Sequence, residues 1–293
     1  MMKMYKKIAL SLISICIFNY SHACLNTYDE WSYIDASMTE DFNNEAERDR
    51  YYKETLRIFL NNHPKPRTIE EQNDYAVQLI YNKEYQQAID LLLAIEKRHP
   101  NLANTAVNLG TAYELLGQLD QAEVWIKKGI RLDPDVHFGS EWIHLNIIKA
   151  KQQNADQKWF MEKPLLGIDF GTGYFPVLAK NNVLPENFSI AELSSQAHLQ
   201  LTERKKFIFG NDPTLARLAY ELANVETLYS EFFEYKYMFG APNQTAQTFA
   251  NIAVEHGLEK GEIEEKRLKM LLSDSFVYRF LLVILDFIAK PFR

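Results

Sequence analysis

Cysteine is almost missing from this sequence of 293 residues, which holds only Cys16 and Cys24. Cys16 falls in an N-terminal targeting segment, so the mature chain has no pair for an internal disulfide and must be stabilised by its core. Histidine is scarce at seven, and no two stand at a metal-ligand spacing such as His-x3-His. Neither a metal nor a cofactor is therefore expected. Positive charge is in deficit, with 32 Lys and Arg against 39 Asp and Glu and a formal net charge of −7. That balance excludes the basic stripe a nucleic-acid surface needs. A continuous apolar run long enough for a bilayer is missing too. The C-terminal stretch 276–289 is broken by Arg279 and Asp286, whereas a span takes about 20 apolar residues. Catalytic patterns are equally thin. There is no Gly-x-Ser-x-Gly elbow, Val254-Glu255-His256 is not a zinc-protease helix, and Cys24 has no base beside it. Gly171-Thr172-Gly173 lacks the Lys-Ser/Thr ending of a phosphate loop. Adjacent acids such as Glu70-Glu71 and Glu264-Glu265 point apart on a helix and read as solvated faces. No catalysis is indicated.

What the chain does carry is a 34-residue period. Residues 103–136 contain the run Ala106-x2-Leu109-Gly110-x2-Tyr113, followed by Ala122, Ile126, Gly129 and Pro134. Gly110 and Ala122 are small where two helices of a hairpin would cross, and Leu109, Tyr113, Trp125 and Ile126 supply the apolar stripe. Gly117 stops the first helix, Asp120 is placed to cap the second, and Pro134 ends it. Thirty-four residues earlier stand Ala76, Ala88 and Pro100, with Tyr75, Leu79, Leu92 and Ile95 at the matching apolar positions. The two helices of this first repeat are expected over 70–80 and 84–98. The run resembles a tetratricopeptide repeat, with Ala106 in place of the usual Trp. The resemblance assigns repeats to 69–102 and 103–136 and a capping helix to 138–153, the last because no second helix in register follows it.

The rest of the chain reads as follows. Residues 1–23 have a basic start (Lys3, Lys6, Lys7), an apolar run and a small-x-small cleavage site at Ser21-His22-Ala23, the pattern of a signal peptide; an uncleaved anchor is the alternative. Cleavage would leave Cys24 first, a candidate lipid attachment point, although Ser21 stands where lipoproteins usually have Leu. Residues 24–68 form an aromatic-rich cap with a helix over 41–60. A connector over 154–188 includes a short β-hairpin or extended piece near 165–178. A second helical region spans 189–260, with a degenerate repeat possible over 213–257, split at Asn224-Val225 into two helices. Asp212-Pro213 opens the first of these. Residues 261–293 end in a helix that is either amphipathic core or membrane-associated, with Arg279 and Asp286 on one face. The expected fold is mainly α: a tetratricopeptide-like α-solenoid of helical hairpins followed by a further helical region.

The resemblance implies a concave groove lined by Asn73, Val77, Ile80, Asn104, Val107, Asn108, Thr111, Glu114 and Glu141. Some family members clamp a peptide carboxylate there. Asn108 matches one clamp position, but Glu70, Phe138 and Trp142 replace its Lys and Arg, so the clamp is lacking. The expected function is an exported scaffold that binds a protein or peptide partner in the periplasm or cell envelope, with peripheral membrane contact open through the C-terminal helix or a lipid on Cys24. A membrane-anchored structural subunit, or an envelope enzyme whose site is invisible in sequence, are the alternatives.

Overall fold

The computed structural model describes residues 25, 27, 28, 42, 44–178, 189–233, 244–273 and 275–289. The expected signal segment, Cys24, Trp31, Tyr33 and the C-terminal Lys290 and Arg293 lie outside the described residues. The chain is mainly helical: the described residues form twelve α-helices and no strand. Helix α1 (Glu45–Asn62) is capped by Asn44, whose side chain accepts from Glu47 N at 3.0 Å, and it buries Tyr52 and Phe59. It leads into α2 (Ile69–Tyr81), which opens on a capping box between Thr68 and Glu71. Then follow α3 (Tyr85–Arg98), α4 (Ala103–Leu115) and α5 (Leu119–Leu132).

Every boundary of α4 and α5 falls 34 residues after its counterpart in α2 and α3. The turns repeat as well. Glu84 N donates to Leu79 O and Lys83 N to Ile80 O, and 34 residues on Gln118 N donates to Tyr113 O and Gly117 N to Glu114 O. This is the left-handed helix stop, with Lys83 at φ +67° where the second pair has Gly117 at φ +81°. The pairs pack through small residues. A Cβ on Gly110 would lie 2.4 Å from Ile126 Cδ1, and one on Gly129 would lie 2.4 Å from Val107 Cγ1. Ala76, Ala88, Leu109 and Ala122 are fully buried, Tyr113 is half-buried, and Pro100 and Pro134 sit exposed at the helix ends. Asp120 does not cap α5, whose first residue follows Gln118 with no side-chain cap; its charge lies in the first turn, where the helix dipole still favours it.

Helix α6 (Glu141–Gln152) extends the stack through Ile148, which joins Val107 and Ile126 in one core cluster, while Ile143 and Ile147 join the next. It does not stand alone as a terminal cap. The same stop recurs, with Asn154 at φ +46° and Ala155 N donating to Ala150 O, and a short α7 (Gln157–Glu162) follows. Beyond it come α8 (Ile190–Lys205), α9 (Pro213–Phe233), α10 (Gln244–Glu255), α11 (Glu262–Leu271) and α12 (Phe276–Ala289). The break expected at Asn224-Val225 does not occur. Helix α9 runs unbroken past it, because Leu222, Ala223, Val225 and Leu228 are all buried in one core. Its packing partner is α10, so the helix pair anticipated within 213–240 is replaced by one long helix and the next.

Residues 165–178 are extended and irregular, not a hairpin. Side chains hold them where strands would have used a ladder. Glu221 accepts from Leu165 N at 3.1 Å and Leu166 N at 2.8 Å, and Arg267 Nη2 donates to Phe170 O at 2.6 Å. Only one backbone bond, Val177 N to Phe170 O, ties the two limbs. Among the described residues no helix is long and apolar enough to cross a membrane. The Arg279–Asp286 face lies partly outside the described side chains.

Candidate functional site

Of the nine residues expected to line an open groove, eight are buried: Asn73, Val77, Ile80, Val107, Asn108, Thr111, Glu114 and Glu141. Asn104 alone is half-buried, and its side chain hydrogen-bonds Tyr28. Val107 faces Gly129 across its own hairpin, and Val77 and Ile80 belong to the core shared by α1, α2 and α3. The polar members are brought together. Asn108 Nδ2 donates to Asn73 Oδ1 at 3.0 Å across α4 and α2, and Glu114 and Glu141 meet through His144.

The chain covers this surface itself. Leu25 is fully buried in the core of the first helix pair, and Tyr28 N donates to Asp74 Oδ1 at 2.8 Å. At the other end lies α8, which presents a stripe at helical spacing. Gln196 accepts from Trp142 Nε1 at 2.7 Å, Gln200 donates to Ser140 Oγ at 3.0 Å, and Arg204 reaches Glu114. Just beyond the helix, the Phe207 ring stacks on Tyr81 with centroids 5.3 Å apart. Four positions along one face thus touch α6, α4 and α2 in turn.

The contact is strongly ionic. Arg204 meets Glu114 with Nη1 at 2.8 Å from Oε1 and Nη2 at 3.3 Å from Oε2, a bidentate pair. Lys151 Nζ lies 2.9 Å from the same Oε1. His144 joins Glu114 Oε2 at 2.6 Å to Glu141 Oε2 at 2.9 Å, and His137 Nδ1 meets Glu141 Oε1 at 2.9 Å. Burial alone would raise the Glu114 pKa, but Arg204, Lys151 and His144 outweigh it and hold the carboxyl well below its usual range. Glu141 is treated the same way by His144 and His137 and falls to about 2. Burial would lower the His144 pKa; Glu141 and Glu114 reverse this and raise it. Its Nδ1 faces Glu141 Oε2 and its Nε2 faces Glu114 Oε2, an arrangement in which both nitrogens can donate only when the ring is protonated.

His137 reaches this network from a strained turn. His137 and Phe138 both take left-handed backbone, at φ +56° and +54°, before Gly139 at φ +69°. Such conformations cost about 1–2 kcal/mol per non-glycine residue. The His137 side chain, enclosed against Glu141 and Ser140, over-determines the turn, whereas Phe138 is exposed and gains nothing from it.

The cavity beside Glu114, His144 and Arg204 measures about 20 Å³, room for one water and no substrate. Among the described residues no group of three or more His, Cys, Asp or Glu is arranged to hold a metal ion. Among the described residues an open concavity lies between α6 and α7. This cleft of about 500 Å³ is lined by Asn146, Lys149, Gln152, Gln153, Trp159 and Lys163, together with Pro164 and Leu165. Lys149 and Lys163 are exposed and Trp159 half-buried, with Lys163 Nζ 5.7 Å from the Trp159 ring centre. Its polar lining is cationic or amide in character. Asn146 donates to Leu165 O at 2.9 Å, and Gln152 Nε2 is turned to Asp120 and Glu123 at 3.0 Å each.

Sequence reasoning did not find Arg204, Lys151, His137 or Gln200. For Gln200 and Arg204 the signal was the spacing Gln196, Gln200, Arg204 on one predicted helix, a polar stripe at regular intervals of four; Lys151 and His137 carried no such signal. Comparison of the chain with models of protein families and with curated proteins finds no match.

Proposed function

We propose that this chain is an exported, tetratricopeptide-like scaffold that binds a protein or peptide partner at the cell envelope, and that the partner docks on the α6–α7 cleft instead of the groove. The 34-residue recurrence of four helix boundaries, with small residues at each crossing, supports the repeat reading. The observation that carries the docking site is the contrast between the two concavities. One end of the expected groove is covered by α8 and the other by residues around Leu25 and Tyr28, whereas the cleft is open, offers a flat indole and two lysines, and suits an extended segment with an acidic or carboxylate end. Export rests on the basic-apolar pattern of 1–23.

The test is photo-crosslinking in the native envelope from a probe placed at Gln153, in wild type and in Lys149→Glu/Lys163→Glu. Both lysines are exposed, so the fold should be unaffected to within about 0.5 kcal/mol. One dominant adduct in the wild type that the charge reversal removes supports the proposal. An adduct that survives reversal, or one formed only from probes on α8, contradicts it.

A further inference from the structure

Among its described side chains, helix α12 turns six large apolar residues outward. Val277, Tyr278, Leu281, Ile284, Leu285 and Ile288 are all exposed. At 100° per residue they fill one arc about 120° wide. Arg279, by contrast, is half-buried and donates through Nη1 to Ser273 O at 2.7 Å, while Leu282 is buried. A helix resting on a soluble body normally shows the opposite arrangement.

We propose that α12 is an interfacial helix that lies flat on an anionic lipid surface with this arc in the headgroup–acyl boundary. Two observations choose lipid over a protein occupant. The first is size. Fourteen residues make a rod about 21 Å long, only two heptads, whereas a coiled coil with a second copy takes three or four. A stable protein interface uses about 20–30 residues a side. A bilayer surface needs one apolar face and no complementary shape. The second is charge. Residues 276–293 hold Arg279, Lys290 and Arg293 against Asp286 alone, a cationic tail on a chain whose formal net charge is −7. Anionic headgroups draw such a tail and repel the body, which sets the helix against the surface with the rest of the chain outward. Tyr278 on the exposed arc is a residue type that favours this boundary. Among the described residues the helix is not long and apolar enough to span.

The experiment is hydrogen exchange on the full chain with vesicles of phosphatidylglycerol and phosphatidylcholine, with phosphatidylcholine alone, and without vesicles. The amides of 276–289 should slow by on the order of tenfold with the anionic vesicles only. Leu281→Ser/Ile288→Ser, both at exposed positions, should abolish that slowing at an unchanged melting temperature. Reading exchange within α12 separates its contact from any made by residues 1–23. Unchanged exchange in 276–289 while the chain is vesicle-bound overturns the proposal. So does protection that survives the double substitution, or protection that rises with protein concentration without lipid, which would assign the face to a second copy.

Discussion

Arg204 Nη1 lies 2.8 Å from Glu114 Oε1, and the two residues are 90 positions apart in the chain. Both side chains are buried. A charged pair of such sequence separation can persist only if the intervening helices return α8 to the face of α4 on every folded molecule. The pair therefore specifies the docking of the second half of the protein on the first.

Removing one partner should expose that role. Glu114→Ala strands Arg204, Lys151 and His144 around a missing anion, and a buried pair broken on one side costs about 3–5 kcal/mol. Urea unfolding should show this loss. A cost below about 1 kcal/mol would mean the network is wet and contributes little.

The same network sets a pH dependence. His144 is raised above its ordinary 6.5, so its contribution is complete below that value and is lost as pH rises through the higher folded pKa. Glu114 and Glu141 are lowered, so theirs is present above about 4.5 and is lost as pH falls through the folded values, about 2 for Glu141. Stability from this site should peak between about pH 4.5 and 6.5. His144→Gln should remove the decline on the alkaline side, whose slope is at most about 1.4 kcal/mol per pH unit for one proton. His198, whose pKa burial lowers, acts in the opposite direction but equally in both proteins, so the difference curve isolates His144.

Gly110 tests the helix crossing. Its Cβ would meet Ile126 Cγ1 at 2.5 Å and the Ile126 amide nitrogen at 3.2 Å, so Gly110→Leu must push α4 and α5 apart. The expected cost is about 1–3 kcal/mol or more. Gly110→Ala should cost less, and Ile126→Val should relieve part of it, a non-additivity visible in a cycle of melting curves. An unchanged melting temperature for Gly110→Leu would reject the close crossing.

Phe138→Gly should stabilise the protein. The side chain is 50% exposed and the backbone left-handed, so glycine removes strain and loses little packing. A gain of about 0.5–1 kcal/mol in thermal or urea unfolding is expected, after the entropy glycine adds to the unfolded chain. A loss would show that the Phe138 ring has a partner in solution.

The local rules of the first half were legible. Small residues at 110, 122 and 129, apolar residues at fixed spacing and a glycine at 117 place four helices to within a residue or two. Lys83 shows the limit: it adopts the left-handed stop without glycine, where Lys83 N donates to Ile80 O and Glu84 N to Leu79 O. What covers the groove was not legible, because the Glu114–Arg204 contact depends on a tertiary return that no local pattern encodes. Asn224 shows the opposite failure. The split expected at Asn224-Val225 fails, since the Asn224 side chain donates to Tyr220 O at 2.7 Å and the helix continues. Over 165–178 the extended alternative holds and the hairpin does not. The alternation suits a strand, yet Glu221 and Arg267 satisfy the backbone in place of a ladder.

Occupation of the groove by α8 is read by one double-mutant cycle, Glu114→Gln with Arg204→Gln, in urea unfolding of the full chain. Residues in direct buried contact couple by about 0.5–3 kcal/mol, and distant ones add independently. A coupling above about 1.5 kcal/mol is expected here. Additivity to within about 0.3 kcal/mol would place Arg204 away from Glu114, reopen the groove and return it to contention as the partner's docking site.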